Sequence, residues 1–285
     1  MVRLCLPGGH CKYAAAFAAA ADKRGHRVLR ISSDQVPSRF ADFDVLLSTG
    51  WGSTRRSLAL QAIEAGRLVY VFDLGFFKRD SKDQNSYKQI SPNGLANIET
   101  RARGPDRWNA LELPITTRRA DFTSQRVLIC AQKFGDNAHG MLREAMAHWI
   151  RGRVALIREH TPHTVIVRPH PRSLDYSVRD ASILDEWQNP NDTPIEKAIA
   201  DVDFVVVYNS TVGFECIRQG VPFFCDESAD YWPLSAGKMT PENLRSPSVA
   251  SLARRSEYLW RVAYQQYRMS ELENGVAVRS LLEDG

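Results

Sequence analysis

No apolar run in this chain approaches the ~18 residues that a bilayer-spanning helix needs, which excludes a transmembrane helix. Cysteine is scarce: five residues, at 5, 11, 130, 216 and 225, with no Cys-x-x-Cys pair. An odd and scattered set points to neither a disulfide framework nor a cysteine zinc site, and Cys5, Cys130 and Cys225 lie in apolar runs that suit buried free thiols. Seven scattered histidines form no His-x-x-x-His pattern, so no metal site is visible and no resident cofactor is implied. Charge imbalance is small, +4 with a pI near 8.8, which permits a polyanionic partner without requiring one. Internal repeats and low-complexity segments are absent. The first eight residues lack the apolar stretch of a signal peptide, so the expected compartment is the cytoplasm, the host's if the chain is phage-encoded.

What is present is an alternation of short apolar, β-rich runs with helical stretches over 285 residues. The pattern predicts strands at 2–6, 27–31, 45–48 and 68–72, and helices at 12–23 and 57–65, with Gly25 and Gly66 placed to end the helices. It restarts with strands at 126–131, 164–167, 204–208 and 221–225, helices at 140–159, 194–200 and 211–219, and a last helix over 248–269. Strands separated by helices of this length imply parallel sheets covered on both faces. Two Rossmann-like domains follow, 1–120 and 121–285. Residues 74–120, with Pro92-Asn93-Gly94 and Gly104-Pro105, lack periodicity and read as an irregular, basic and aromatic connector.

Ligands of open parallel sheets bind beyond the carboxyl ends of the strands, so the strand-end loops carry the candidates. In Tyr208-Asn209-Ser210-Thr211-Val212-Gly213-Phe214-Glu215 an apolar strand meets small hydroxyl residues and a helix start. Free N–H groups and the helix dipole make that turn a phosphate seat, with Ser210 and Thr211 as donors and Gly213 allowing close approach. Glu215, one turn on, faces the same side and suits ribose hydroxyls. The plain alternative is an ordinary N-cap with Glu215 in a surface pair. In Arg168-Pro169-His170-Pro171 two prolines fix the backbone and hold out Arg168 and His170, both suited to phosphate. Gln132 and Asp136 lie in the loop after the first strand of the second half, where Asp136 is also a candidate N-cap.

The Arg-Pro-His-Pro turn, followed by a strand and Asn-Ser-Thr-Val-Gly-Phe-Glu, resembles the GT-B glycosyltransferases that build capsule polysaccharide, polysialic acid and teichoic acid. Gly220-Val221-Pro222 fits the same resemblance, which covers 164–226 well and the rest poorly. It implies a GT-B fold, α/β, with two parallel sheets facing across a cleft, a donor nucleotide-sugar held by Arg168, His170, Ser210, Thr211, Glu215, Gln132 and Asp136, and no metal requirement. The first half is weakly similar to phage DNA β-glucosyltransferases, in which a strand ends in the catalytic aspartate. The matching residue is Asp73, the expected base of an inverting transferase, with Asp136 its rival. That likeness, with basic and aromatic residues between 75 and 108, makes a 5-hydroxymethylpyrimidine in double-stranded DNA the leading acceptor. Gly9, His10, Trp51, Lys78 and Arg79 are the expected acceptor contacts. The alternatives are a capsule or lipopolysaccharide transferase, a non-catalytic nucleotide-binding protein, and a nucleotide-sugar epimerase.

Overall fold

A computed structural model describes residues 1–80, 83, 85–117, 124–173 and 185–284. The chain runs β1 (Arg3–Pro7), α1 (Lys12–Lys23), β2 (Arg27–Ile31), β3 (Val45–Thr49), α2 (Ser53–Glu64), β4 (Leu68–Leu74), β5 (Lys88–Pro92) and α3 (Asp106–Asn109). It continues through β6 (Arg126–Cys130), α4 (Arg143–His160), β7 (Thr164–Arg168), β8 (Glu186–Trp187), α5 (Ile195–Ala200), β9 (Phe204–Val206), α6 (Val212–Gln219) and β10 (Phe223–Phe224). It ends with α7 (Pro241–Arg245), α8 (Leu252–Ala263), β11 (Gln266–Tyr267), α9 (Met269–Glu273) and α10 (Val276–Val278). Two compact units result: Met1–Leu111 with Trp260–Gly285, and Glu112–Leu259.

The first unit is a sheet in the order β11-β5-β4-β3-β1-β2. β1 to β4 run parallel, while β5 and β11 pair antiparallel. Buried strand residues alternate between two cores, as the period of two requires: Leu4, Leu6, Val45, Leu47, Tyr70 and Phe72 on one face, Cys5, Leu46, Val69 and Val71 on the other. α1 covers the first face with Ala14, Phe17, Ala18 and Ala21, a stripe at helical spacing in an alanine-rich segment of high helix propensity. Ala59 and Ala62 of α2 cover the second.

The second unit is a sheet in the order β10-β9-β6-β7-β8, every pairing parallel. α4 lays Met146, Ala147, Ile150, Val154 and Ile157 on one face, against Val127, Ile129, Val165, Val167 and Phe204. α6 ends at Gly220, whose φ of 68° is the left-handed C-cap conformation that the Gly-Val-Pro sequence predicts. The α/β class and the two Rossmann-like units therefore match the sequence expectation.

Two parts of the chain differ from it. Residues 74–120 are not wholly irregular: β5 lengthens the sheet, and α3 seats Trp108, 3% exposed, with its ring 5.2 Å from that of buried Phe77. The last helix is shorter than 248–269 and gives way to β11, so 260–285 joins the first unit rather than 121–285 forming one domain. The cause is backbone satisfaction, since buried N–H and C=O groups outside regular structure need partners. Gln266 Oε1 accepts from Phe76 N and Phe77 N at 3.0 Å each. Gln265 Oε1 accepts from Glu99 N at 2.8 Å, and its amide donates to Ile90 O and Asn97 O. Both glutamines are fully buried.

Candidate functional site

In the second unit the chain leaves β6, fills the β7 and β8 side of the sheet, and returns to the other side of β6 as β9. The reversal point lies between β6 and β9, and the carboxyl ends of those strands open the crevice that such sheets use for ligands. The loops there are tied together. Gln132, 8% exposed, donates from Nε2 to Asn209 Oδ1 at 2.8 Å, and its Oε1 accepts from Asn209 N at 2.7 Å. Asn209 Nδ2 donates to Ala138 O at 3.2 Å. Asp136 shapes the same loop by accepting from Ala138 N at 2.9 Å.

His139 occupies this loop with its ring edge-on to Tyr208, the centroids 5.8 Å apart, and Trp149 flanks the same tyrosine at 6.0 Å. Its Nδ1 accepts from Met141 N at 3.0 Å, so the neutral ring carries its proton on Nε2. That Nε2 is buried with no partner of hydrogen-bond geometry among the described residues, and burial, opposed by Asp136 and the Lys133 backbone, holds the imidazole pKa below its usual range. An orphaned donor beside a ligand crevice is a strained arrangement that a bound acceptor atom would relieve. The sequence flagged this loop but gave neither His139 nor Asn209 a role. Their signal was position after a strand end, which does not say which side chains turn inward.

Ser210 and Thr211 precede α6, with Thr211 as its N-cap residue and no side-chain cap bond made. Val212 N donates to Ser210 Oγ at 3.3 Å, and Tyr231 Oη donates to Ser210 O at 2.5 Å. A hydroxyl proton on each side chain stays directed by whatever binds there. Gly213 serves a different purpose from the expected ligand approach. A Cβ at Gly213 would lie 2.4 Å from the buried Tyr231 ring, so an aromatic side chain fills that space.

Three other expected donor contacts make hydrogen bonds within the fold. Arg168, 7% exposed, donates to Gln188 Oε1, Pro190 O and Thr193 O at 2.7 to 3.0 Å, bracing the loop after β8, and burial lowers its pKa from the usual arginine value. Glu215 accepts from Arg218 Nε at 2.8 Å, the side-chain pairing that was the plain alternative to ribose contact. His170 Nδ1 accepts from Arg172 N at 3.0 Å in a tight turn at the end of β7. The structure thus brings Gln132, Asp136 and Ser210 to one crevice and places Arg168 and His170 one strand away, after β7.

In the first unit Asp73 does not sit in a strand-end loop. It lies within the β4–β5 ladder opposite Gln89, and its Oδ1 accepts from Leu74 N at 2.7 Å. Gly9 takes a positive φ of 73° after β1, His10 Nδ1 donates to Pro7 O at 2.9 Å, and Trp51 packs on the core beside α2. Lys78 and Arg79 are exposed, and Lys82 lies outside the described residues. The basic and aromatic connector is largely internal. Phe76, Phe77, Tyr87 and Trp108 are core residues. Arg101 and Arg103 each donate to Ser280 O, Arg103 also pairs with Glu99, and Arg107 pairs with Glu271 and lies 4.4 Å from the Tyr267 ring centroid. These side chains anchor the C-terminal segment rather than present a surface to nucleic acid.

No helix among the described residues is long and apolar enough to cross a membrane. No family model matches the chain, and no curated protein matches it. Solved structures do. A KpsC β-Kdo 2,4-transferase from Thermosulfurimonas dismutans shares 14% identity over 97% of this chain and 98% of its own, with a TM-score of 0.56. A KpsC β-Kdo 2,7-transferase from the same organism shares 15% identity over 98% of this chain and 99% of its own, with a TM-score of 0.50. At such identities the likeness is one of fold, and the fold class is GT-B.

Proposed function

We propose that this protein is a glycosyltransferase that takes a sugar from a nucleotide-sugar held at the β6–β9 crevice and passes it to a hydroxyl of a surface polysaccharide, of the capsule or lipopolysaccharide class. The observation that carries the proposal is the crevice itself. Gln132 and Asn209 lock two strand-end loops together, His139 Nε2 has no hydrogen-bond partner among the described residues, and the Ser210–Thr211 turn opens α6. Helix-end N–H groups suit the phosphate, and the amides and hydroxyls suit the nucleoside and sugar. The solved structures of like fold are named as β-Kdo transferases, so CMP-Kdo is the first donor to try. The polysaccharide reading takes precedence over DNA because the aromatic residues needed for base stacking lie in the core.

Transfer requires that a carboxylate accept the acceptor's hydroxyl proton while the oxygen bonds to the anomeric carbon. The bond from that carbon to the nucleotide's phosphate oxygen breaks, and the nucleotide leaves with the electron pair. Asp73 is the proposed base and Asp136 its rival. The test is transfer from labelled CMP-Kdo and a panel of UDP- and GDP-sugars to capsular oligosaccharide and to hydroxymethylated duplex DNA. Label on the oligosaccharide alone is expected. Asn209→Ala is expected to weaken nucleotide binding about tenfold, the equivalent of one or two lost hydrogen bonds. Asp73→Asn should abolish turnover and leave nucleotide affinity unchanged; if Asp136→Asn does so instead, the base is Asp136. Salt-sensitive labelling of DNA would overturn the polysaccharide assignment. Nucleotide binding without transfer to either acceptor would leave a binding protein, not an enzyme.

A further inference from the structure

In the first unit the chain goes from β1 to β2 on one side and then crosses to β3 on the other. Its reversal point is therefore between β1 and β3, and a pocket lies there, lined by the Pro7–His10 turn, Ser33, Ser48, Thr49 and Arg55. Among the described residues, no aspartate or glutamate lines it.

The pocket is rich in hydrogen-bond donors. Ser48 is 7% exposed, lines the pocket, and its hydroxyl has no hydrogen-bond partner among the described residues. Thr49 Oγ1 accepts from Cys11 N at 3.0 Å, which leaves its own proton to donate. The N–H groups of Gly9 and His10 have no acceptor among the described residues. Arg55 spans the mouth, with Nη1 donating to Thr49 O at 2.8 Å and Nη2 to Gly9 O at 3.0 Å, and three of its five N–H bonds remain.

The charge placement runs against helix electrostatics. α1 and α2 both begin beside this turn, and neither has an acidic residue in its first turn. Arg55 and Arg56 lie in the first turn of α2, so cations stand at a positive dipole end where carboxylates would be favourable. A bound anion would offset that repulsion.

We propose that this pocket holds an oxyanion, a carboxylate or phosphate, carried by the acceptor. The assignment rests on the proposed transferase function and adds to it the chemical class of the acceptor: an acidic sugar chain. Asp73 lies on the same sheet face as Ser48, one strand over and two residues nearer the carboxyl edge, roughly 8 Å away between Cα atoms from strand spacings. A hydroxyl about one sugar ring from the bound oxyanion therefore falls within reach of the proposed base.

The experiment titrates the 15N-labelled full chain with methyl glucuronide, its neutral methyl ester, and glycerol 3-phosphate, reading the Gly9 and His10 amide resonances. Saturable shifts are expected with one or both anions and none with the ester. Glucuronide alone identifies a carboxylate site, glycerol phosphate alone a phosphate site, and both a site for either. Ser48→Ala is expected to weaken the anion about threefold and Arg55→Gln about tenfold or more, as for neutral and charge-assisted bonds. Because Arg55 also braces two carbonyls, Ser48→Ala with an unchanged melting temperature is the decisive variant. CMP and UDP affinities in the same variants separate the two proposals. Nucleotide binding retained with anion binding lost by substitution locates the two sites independently, and wild-type failure to bind nucleotide sinks the transferase function without touching the pocket. Equal binding of acid and ester, no binding of either anion, or affinities unmoved by both variants overturns the proposal.

Discussion

Gly213→Ala tests whether the α6 turn is built around Tyr231. The new Cβ would stand 2.4 Å from both Cε2 and Cζ of Tyr231 and 2.9 Å from its hydroxyl oxygen. The ring has little room to yield: it is 2% exposed, packs edge-on to Phe214 and Phe223 at 5.1 and 5.7 Å, and holds Ser210 O through its hydroxyl. Overpacking of this kind costs about 1–3 kcal/mol, and losing the phenol's hydrogen bond adds about 1. A total near 3 kcal/mol lowers the melting temperature of a unit of this size by about 6–12 °C. Urea and thermal melts followed by circular dichroism give the value, and nucleotide titration should show weakened binding because Ser210 moves with the ring. Tyr231→Leu removes the obstructing atoms, so Gly213→Ala in that background should cost less than about 1 kcal/mol, a coupling that double-mutant cycles resolve. A wild-type cost below about 0.5 kcal/mol would refute the packing account of Gly213.

Asp203 is a buried hub that accepts from Ser124 N, Ser124 Oγ, Gln125 N and His163 Nε2 at 2.8 to 3.2 Å. Asp203→Ala strands those donors, and a loss of about 3–5 kcal/mol is expected in urea melts. Glu283 is held at a pKa of about 2, against an ordinary 4.5, by hydrogen bonds from Arg24 and then His26. A depressed carboxylate pKa means stability present above 4.5 and lost as pH falls from 4.5 towards 2. Proteolysis of the C-terminal segment should accelerate through that window in the wild type, and Glu283→Gln should remove that part of the pH dependence. Gly220→Ala puts a Cβ 2.9 Å from Thr116 O at a φ of 68°, and a stability loss of about 1–3 kcal/mol is expected from the two effects together.

The elements were legible because their causes are local. A short apolar run buried throughout marks Val127 to Cys130 as a central strand, and burial at helical spacing marks α1 and α4. The strand-end rule then directed attention to Gln132, Ser210 and Gly9 without any knowledge of contacts. What a polar or aromatic side chain does after reaching its loop was not legible in the same way. Arg168 braces backbone carbonyls 20 or more residues away in sequence, and Arg107 and Trp108 belong to an interior completed by residues after 260. Basic and aromatic composition is the same whether such residues face nucleic acid or a protein core, and only burial separates the two.

By itself the sequence determined the parallel α/β architecture, its two-fold repetition along the chain, and the loops that face the ligand side, because backbone periodicity and turn chemistry act over a few residues. Tertiary structure alone decided that β5 turns antiparallel, that Gln265 and Gln266 return the chain's end to the first unit, that Gln132 and Asn209 close on one another, and that a tyrosine occupies the space Gly213 leaves. Each of these joins groups between 14 and 190 residues apart. Their energy comes from satisfying buried polar groups and filling space in three dimensions, which no local pattern encodes.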